Sequence, residues 1–260
     1  MEIIDSHCHL QDPALFPHRA GIIARAKNAG VTYMLTCGTS PEDWQSVCDI
    51  AHEYSGIIPA FGVHPHKCDS IPADWEKRLI DMLGNTKSAV GEIGLDFAEK
   101  GIDRTRQQAI FIRQMEIARE LKRPVSIHAR QCWDVMPALL EKYAHDLIII
   151  IHSCSASREL IPRLTDGAIY CSFSGTLTYS RNKRAHDAVR AVPRDRLLIE
   201  SDAPDLPPVI NGAVQHDVPN EPGNITATLK SMAVLRVVDE DTMAGTLLQN
   251  TLRALTAVMS

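Results

Sequence analysis

Two histidines directly follow the first apolar stretch of the chain, in Asp5-Ser6-His7-Cys8-His9. In a β-strand, side chains two residues apart point to the same face, so His7 and His9 would direct two imidazoles at one point. Neutral imidazole is the commonest metal ligand among protein side chains. The pair alone fits a metal site and a strand with two solvated polar residues equally well, and the rest of the chain decides between these interpretations.

Further imidazoles and carboxylates stand at the ends of other apolar runs. They are His64, His66, Glu92, His128, His152 and Asp202. Any one of them alone is more often an ordinary capping or loop residue. Their joint placement predicts a metal site, because the carboxyl ends of parallel strands gather at one mouth of a barrel.

The type of ligand limits the choice of metal. Nitrogen and oxygen ligands without a thiolate suit zinc, manganese or magnesium. Without His64 and His66, whose roles are less defined, six candidate ligands are left, and six are too many for one closed tetrahedral site. We therefore expect two divalent ions that share Glu92 as a bridge. Two-metal sites stabilise both the attacking and the leaving oxygen in a phosphoryl displacement.

The elements that must position these residues follow from eight apolar runs rich in β-branched residues. The runs cover residues 3–4, 31–36, 57–63, 88–93, 125–128, 147–152, 168–173 and 197–200, with helical patterns such as 104–121 and 137–143 between them. Alternation of strands and helices indicates βαβ units and a parallel sheet. An open doubly wound sheet usually has a glycine-rich loop after its first strand, whereas here that strand ends in His-x-His.

The sequence therefore predicts an α/β fold, a single (β/α)8 TIM barrel. The length of 260 residues is close to the roughly 250 that are typical of this fold. We expect one domain over residues 1–260, a long loop over 203–223, and one or two terminal helices beyond residue 234.

Composition narrows the choice of partners and compartment. The formal net charge is −5, so the surface as a whole does not attract nucleic acid, and a polyphosphate substrate must be held locally. Seven scattered cysteines without a CxxC pair predict reduced thiols.

No apolar run approaches the roughly 20 residues of a membrane helix, and the first residues lack a signal-peptide pattern. We expect a cytoplasmic protein with no membrane partner, and the sequence leaves its oligomeric state open.

Taken together, the motifs resemble those of the TatD-like metal-dependent hydrolases, usually described as deoxyribonucleases of the amidohydrolase superfamily. The matching stretches are residues 5–10, 62–66, 91–97, 124–130, 172–175 and 200–204. The resemblance implies a (β/α)8 barrel with metal ligands at His7, His9, Glu92, His128, His152 and Asp202, which is the set found at the strand ends.

The sequence departs from the family pattern at two places. The family usually has His-Cys-Phe-Ser/Thr-Gly at the sixth strand, whereas this chain has His152-Ser153-Cys154-Ser155-Ala156 and so lacks the aromatic residue. The family often has Arg-Asn-Glu-Pro before the last helices, where this chain has Pro219-Asn220-Glu221-Pro222. Both departures weaken the case for DNA as the substrate and leave the prediction of a hydrolase unchanged.

We therefore expect a divalent-metal-dependent phosphodiesterase that acts on DNA, or on another phosphodiester, through a metal-activated water. Asp202 and Glu92 are the predicted catalytic residues, with Asp202 as general base. His64, His66 and Arg130 are predicted substrate contacts, although the histidines could also orient ligands and Arg130 could form a structural ion pair. Alternatives are hydrolysis of a small ester, amide or aminoacyl substrate at the same site, and a non-catalytic scaffold. The basic residues Arg181, Lys183 and Arg184 after the seventh strand are interpreted as a solvated helix start, and they are also the best basic patch near the mouth.

Overall fold

Eight parallel strands form one sheet in the computed structural model, which describes residues 1–259. The strands are β1 (Ile3–Cys8), β2 (Val31–Cys37), β3 (Ile57–Phe61), β4 (Ala89–Asp96), β5 (Val125–Arg130), β6 (Ile149–Ile151), β7 (Ile169–Phe173) and β8 (Leu197–Ile199). Each strand pairs with the next one along the chain. Sequential parallel order is the topology that repeated βαβ units produce.

Helices connect the strands and cover the outside of the sheet. They are α1 (Arg19–Asn28), α2 (Trp44–Glu53), α3 (Trp75–Asn85), α4 (Arg104–Glu120), α5 (Met136–Glu141), α6 (Ile161–Leu164), α7 (Lys183–Ala191), α8 (Ile225–Arg236) and α9 (Glu240–Leu255). One helix follows each of the first seven strands, and α8 and α9 follow β8. Among the helices of residues 1–259, none combines the length and apolar character that a membrane crossing requires.

The sheet closes where the segment after β8 meets β1. The amide of Asp202 donates to the carbonyl oxygen of His7 over 3.0 Å, and the amide of His9 donates to that of Ala203 over 2.8 Å. Ser6 Oγ donates to the carbonyl oxygen of Ile199 over 2.9 Å. This seam between β1 and β8 makes the sheet a nearly closed barrel, so the predicted (β/α)8 fold is confirmed. The prediction of one domain over residues 1–260 stays a prediction.

Two buried clusters hold the barrel together. One packs the outer faces of the strands against the helices, and the other fills the barrel at the amino ends of the strands, with Ile4, Ile58 and Leu198 among its members. Leu255 of α9 belongs to the second cluster. Helix α9 therefore covers the end opposite to the carboxyl ends of the strands, where the polar residues lie.

A glycine permits the close contact between β4 and β5 beside the predicted site. Gly94 has a φ of +148°, and a Cβ atom placed on it would lie 2.0 Å from the carbonyl oxygen of His128. Any side chain would push β5 away. The glycine therefore lets Glu92 on β4 and His128 on β5 lie side by side.

The predicted elements match the structure closely, with two differences after β8. The predicted loop over 203–223 contains a short antiparallel hairpin, β9 (Val209–Ile210) and β10 (Ala213–Val214). The prediction of terminal helices only beyond residue 234 was wrong at its start, because α8 begins at Ile225. Its first turns contain Thr226 and Thr228. Because β-branched residues are weak helix formers, the sequence pattern did not indicate a helix at this point.

Candidate metal centre

The six predicted ligands converge at the carboxyl ends of the strands, around the carboxylate of Glu92. His7 and His9 come from the end of β1, Glu92 from β4 and His128 from β5. His152 directly follows β6, and Asp202 is the third residue after β8. Glu92 is 2% exposed, and His152 and Asp202 are 6% exposed. A buried carboxylate requires opposite charge or hydrogen-bond donors around it.

Imidazole nitrogens provide the immediate surroundings of Glu92. His7 Nε2 and His9 Nε2 lie 3.4 and 3.3 Å from Glu92 Oε2. His128 Nδ1 and His152 Nε2 lie 3.0 and 2.8 Å from Glu92 Oε1. Asp202 stands further off, with Oδ1 3.8 Å from both His7 Nε2 and His9 Nε2. The carboxylate thus lies between two pairs of imidazoles.

The outward nitrogen of each imidazole is held by an oxygen atom. His9 Nδ1 donates to the carbonyl oxygen of Cys37 over 2.8 Å, and His7 Nδ1 lies 2.8 Å from Ser126 Oγ. His152 Nδ1 lies 3.3 Å from Glu200 Oε1, and His128 Nε2 lies 3.2 Å from Asp96 Oδ2.

These outward contacts favour tautomers with the proton on the outer nitrogen, which leaves the lone pair of the inner nitrogen facing the centre. Metal-binding histidines in proteins are typically held in this way.

The inner nitrogens also approach one another. His7 Nε2 lies 3.2 Å from His9 Nε2, and His128 Nδ1 lies 3.1 Å from His152 Nε2. Two lone pairs, or two N–H groups, repel at this distance unless a proton or a metal ion lies between them. The candidate ligand atoms of the centre are imidazole nitrogens and carboxylate oxygens rather than thiolates, and such a set suits a divalent metal. His/Glu/Asp clusters that could bind metal are therefore present.

The ionisation of the metal-free centre reflects this crowding. Burial opposes the charge of Glu92, but the facing imidazoles hold its pKa well below the usual range. Burial also opposes a charge on His9, yet Glu92 raises the pKa of His9 to about 9. Burial lowers the pKa of His7 to about 4, and the charge of His152 lowers it further. Because metal ligation requires neutral imidazoles, metal binding would release protons from this centre.

His64 and His66 occupy different environments. His64 Nε2 lies 3.5 Å from Glu92 Oε1, and His64 forms a potential metal-binding group with Glu92 and His128. We predicted a substrate contact at His64, so this grouping adds a possible ligand that the strand-end pattern left out. His66 Nε2 lies 2.8 Å from Asp96 Oδ2.

A cavity of about 790 Å³ opens above the centre, and Arg130 lines it together with Lys67. The side chain of Arg130 is 59% exposed, and its Nη1 lies 3.6 Å from Asp96 Oδ2. Both alternatives for Arg130, a substrate contact and an ion pair, are compatible with this position. The cavity is large enough for a ligand of several hundred Å³ and open to solvent on one side.

Comparison with known proteins decides the family. A family profile described as TatD related DNase matches residues 4–256. The chain belongs to this family. The family assignment made from the sequence motifs is therefore confirmed, and with it the assignment as a metal-dependent hydrolase of the TatD family.

Individual TatD relatives resemble the chain over nearly its whole length. A metal-dependent hydrolase from Escherichia coli K12, YcfH, is 32% identical, and the alignment covers 94% of this chain and 92% of the relative. A protein of Shigella flexneri named 3′-5′ ssDNA/RNA exonuclease TatD is 30% identical, with 88% and 89% covered. The crystal structure of YjjV, a TatD homologue from Escherichia coli K12, superposes with a TM-score of 0.91 at 28% identity, with 97% of each chain covered.

The prediction from the sequence did not include the two acids that contact the outer nitrogens of His128 and His152 in this TatD-type centre. Asp96 contacts both His66 and His128 through Oδ2, and it is fully buried. Glu200 contacts His152 and accepts a hydrogen bond of 2.6 Å from the amide of Ser153. Asp96 and Glu200 lie in the motifs that identify the family, so their positions at the ends of β4 and β8 were the available signal.

Replacing Asp96 with asparagine tests whether this support matters for metal binding. An amide keeps the size of the side chain but presents a weaker acceptor to His128 Nε2. We expect the metal affinity to fall about 10- to 100-fold, the usual effect of losing such a partner. Metal titration of the variant measures this. Asp187→Asn, at an exposed ion pair with Arg190, is the control. Equal affinity in both variants would mean that Asp96 has no part in holding His128.

Proposed function

We propose that this protein is a metal-dependent phosphodiesterase that acts on DNA, with two divalent ions in the candidate metal centre. The observation that carries the proposal is the convergence of two imidazole pairs on the buried carboxylate of Glu92, at distances of 2.8–3.4 Å. The exonuclease name of a relative that is 30% identical supports a nucleic acid as substrate.

The donor set divides between two ions in a simple way. His7, His9 and Asp202 form one potential group within 4.8 Å of one another. His128 and His152 face the other oxygen of Glu92, and His64 is an additional donor on that side. The first group would hold one ion and His128 with His152 the other, and Glu92 lies close to both sets of donors. Zinc, manganese and magnesium all suit these ligands.

The bound ions would supply Lewis-acid activation of a water and charge compensation on the phosphoryl oxygens. The protein provides the remaining parts. Asp202 accepts the proton of the attacking water as general base. Burial raises the pKa of Asp202 to about 7, and the charge of His152 opposes this rise. Arg130 at the mouth presents a planar guanidinium that matches phosphate oxygens.

The charge of the mouth cavity favours a second candidate, hydrolysis of a small uncharged ester or amide. Seven aspartates and glutamates line the cavity, among them Asp12, Glu42 and Asp43, against only Lys67 and Arg130 among the described lysines and arginines. Before metal binding, this surface repels a polyanion. Divalent ions offset part of the negative charge, so the two candidates differ in how strongly phosphodiester binding depends on metal.

Hydrolysis of two chromogenic substrates distinguishes these candidates. We expect the metal-loaded protein to cleave bis-p-nitrophenyl phosphate and single-stranded DNA, and to lose both activities when a chelator removes the metal. Activity on p-nitrophenyl acetate alone would support the second candidate. Inactivity on all three substrates with zinc, manganese and magnesium would contradict both.

Replacing Arg130 with lysine separates phosphate binding from a structural ion pair. Lysine keeps the charge but lacks the planar fork of arginine. We expect kcat/KM for bis-p-nitrophenyl phosphate to fall about tenfold, the effect of losing one hydrogen bond to a charged group. The rate on p-nitrophenyl acetate should stay unchanged. Arg163→Lys, at the surface ion pair with Glu141, is the control. Equal losses on both substrates would indicate that Arg130 only pairs with Asp96.

A further inference from the structure

A second cavity of about 390 Å³ lies beside the metal centre, between the segment that follows β6 and the start of α7. This volume lies in the range of roughly 300–1,000 Å³ that is typical of small-molecule sites. It is lined by residues that include Ser153, Cys154, Phe173 and Tyr179, by Arg181 shortly before α7, and by Arg184 in the first turn of α7. We call it the β6–β7 cavity.

One carboxylate, that of Glu200, contacts both a residue of the metal centre and a residue that lines the β6–β7 cavity. Glu200 Oε1 accepts a hydrogen bond of 2.6 Å from the amide of Ser153, and it lies 3.3 Å from His152 Nδ1. His152 faces Glu92, and the next residue along the chain, Ser153, already lines the β6–β7 cavity. The wall of this cavity therefore begins one residue along the chain from the proposed metal ligand His152.

The charge of the β6–β7 cavity is opposite to that of the mouth cavity. No aspartate or glutamate is among the described residues that line it, whereas Arg181 and Arg184 are both exposed there. Neither guanidinium takes part in any of the ion pairs found within residues 1–259. Glu159 is near enough for the charge of Arg184 to act on it, but it does not line the cavity. Two arginines outside any of these ion pairs, in a concave site, favour an anion with several oxygens.

Hydroxyl groups add hydrogen-bonding capacity on the opposite side. Ser174 Oγ lies 3.1 Å from both Ser153 Oγ and Thr176 Oγ1, so the three hydroxyls form a row. Phe173 and Tyr179 provide aromatic surface next to this row. Arginines, hydroxyls and aromatic rings together recognise a phosphate that carries an organic group such as a nucleoside.

The sequence explains why space is available at this place. Cys154 is buried in the wall of the β6–β7 cavity, at the position where the TatD family pattern has an aromatic residue. A thiol is much smaller than a phenyl ring, so Cys154 fills less of this wall than an aromatic side chain would.

We propose that the β6–β7 cavity binds the nucleotide adjacent to the scissile phosphate, with Arg181 and Arg184 holding its phosphate group. The proposal rests on the proposed phosphodiesterase function and names a substrate subsite for it. It replaces the interpretation of Arg181 and Arg184 as part of a solvated helix start.

Binding to the metal-free protein tests the subsite without depending on catalysis. We expect adenosine 5′-monophosphate to bind in isothermal titration calorimetry, and the double variant Arg181→Ala/Arg184→Ala to raise its Kd at least about tenfold, since two charge-assisted contacts are lost. Lys183→Ala is the matched control, because Lys183 is exposed on the same turn and does not line the cavity. Adenosine should bind more weakly than the monophosphate, and inorganic phosphate shows how much the phosphate contributes alone.

A second variant tests the cavity itself. Cys154→Phe would fill the β6–β7 cavity, and we expect it to abolish binding of adenosine 5′-monophosphate. The double arginine variant should lose at least about tenfold in kcat/KM on single-stranded DNA. Lys183→Ala should keep the wild-type kcat/KM on both phosphodiesters, because Lys183 does not line the cavity. If Cys154→Phe fails to fold, as judged by its thermal melting, the double arginine variant alone decides.

Two results would overturn the subsite. One is a double arginine variant that binds adenosine 5′-monophosphate as the wild type does, and the other is an equal loss in Lys183→Ala. Failure of the proposed function gives a different pattern: the wild type binds the monophosphate through the arginines but cleaves neither phosphodiester. Cleavage of both phosphodiesters without arginine-dependent binding would keep the function and remove the subsite.

Discussion

Replacing Glu92 with glutamine is expected to reduce the metal content of the protein from about two ions to less than one, and to lower kcat on the order of 10³-fold or more. Glu92 makes the shorter contacts with both imidazole pairs, with nitrogens as near as 2.8 Å, whereas Asp202 Oδ1 is 3.8–3.9 Å from His7, His9 and His152. Glutamine keeps the shape but removes the negative charge between the two proposed ions. It also presents an N–H group toward nitrogens that are needed as ligands.

Elemental analysis of protein purified without chelator, combined with kcat on bis-p-nitrophenyl phosphate, measures the effect. Glu141→Gln, at the exposed ion pair with Arg163, controls for the loss of one surface charge. A Glu92→Gln variant that retains two equivalents of metal would show that Glu92 does not bridge the ions. Wild-type protein without metal at any reasonable free concentration would contradict the whole metal centre.

Replacing Asp202 with asparagine is expected to lower kcat by about 10²–10⁴-fold, the usual cost of losing a general acid or base. Asparagine keeps one coordinating oxygen but cannot accept the proton of the attacking water. Metal content should fall less than in His7→Ala, because Oδ1 of Asp202 is 3.8 Å from the nearest imidazole nitrogens and stands at the edge of the cluster. A large loss of kcat together with a small loss of metal would therefore identify Asp202 as a base, whereas a large loss of metal would identify it mainly as a ligand.

Single-turnover rates with saturating metal measure this prediction, with Asp187→Asn as the control. Near-wild-type kcat in a fully loaded Asp202→Asn variant would assign the base to another group. His64 is then the next candidate, because its Nε2 is 3.5 Å from Glu92 Oε1 and burial lowers its pKa to about 4, so it is neutral at physiological pH.

The barrel was predictable from the sequence because its strands are continuous apolar runs that end in polar residues. The run over 125–128 lies within β5, and the run over 168–173 ends at the same residue as β7. Strands that are covered on both faces produce such runs. The convergence of His7, Glu92 and His152 followed from topology alone, because the carboxyl ends of all the strands lie on one side of a parallel barrel.

Other features were beyond sequence reasoning for physical reasons. The support of His128 by Asp96 depends on a distance of 3.2 Å between side chains on neighbouring strands, and an acid in a motif does not reveal which nitrogen it faces. The β6–β7 cavity depends on side-chain volume in three dimensions. Only the packed structure shows that Arg181 and Arg184 line the same space as Cys154.

The seam between β1 and β8 links the assembly of the chain to the acquisition of its metal. His7 and Asp202 are separated by most of the sequence, yet the amide of Asp202 donates to the carbonyl oxygen of His7. A chain emerging from the ribosome therefore lacks the last ligand of the group formed by His7, His9 and Asp202 until residue 202 has been synthesised. Ions that bind only the closed barrel would stabilise it relative to the open chain by mass action, so the supply of metal would affect the last step of folding.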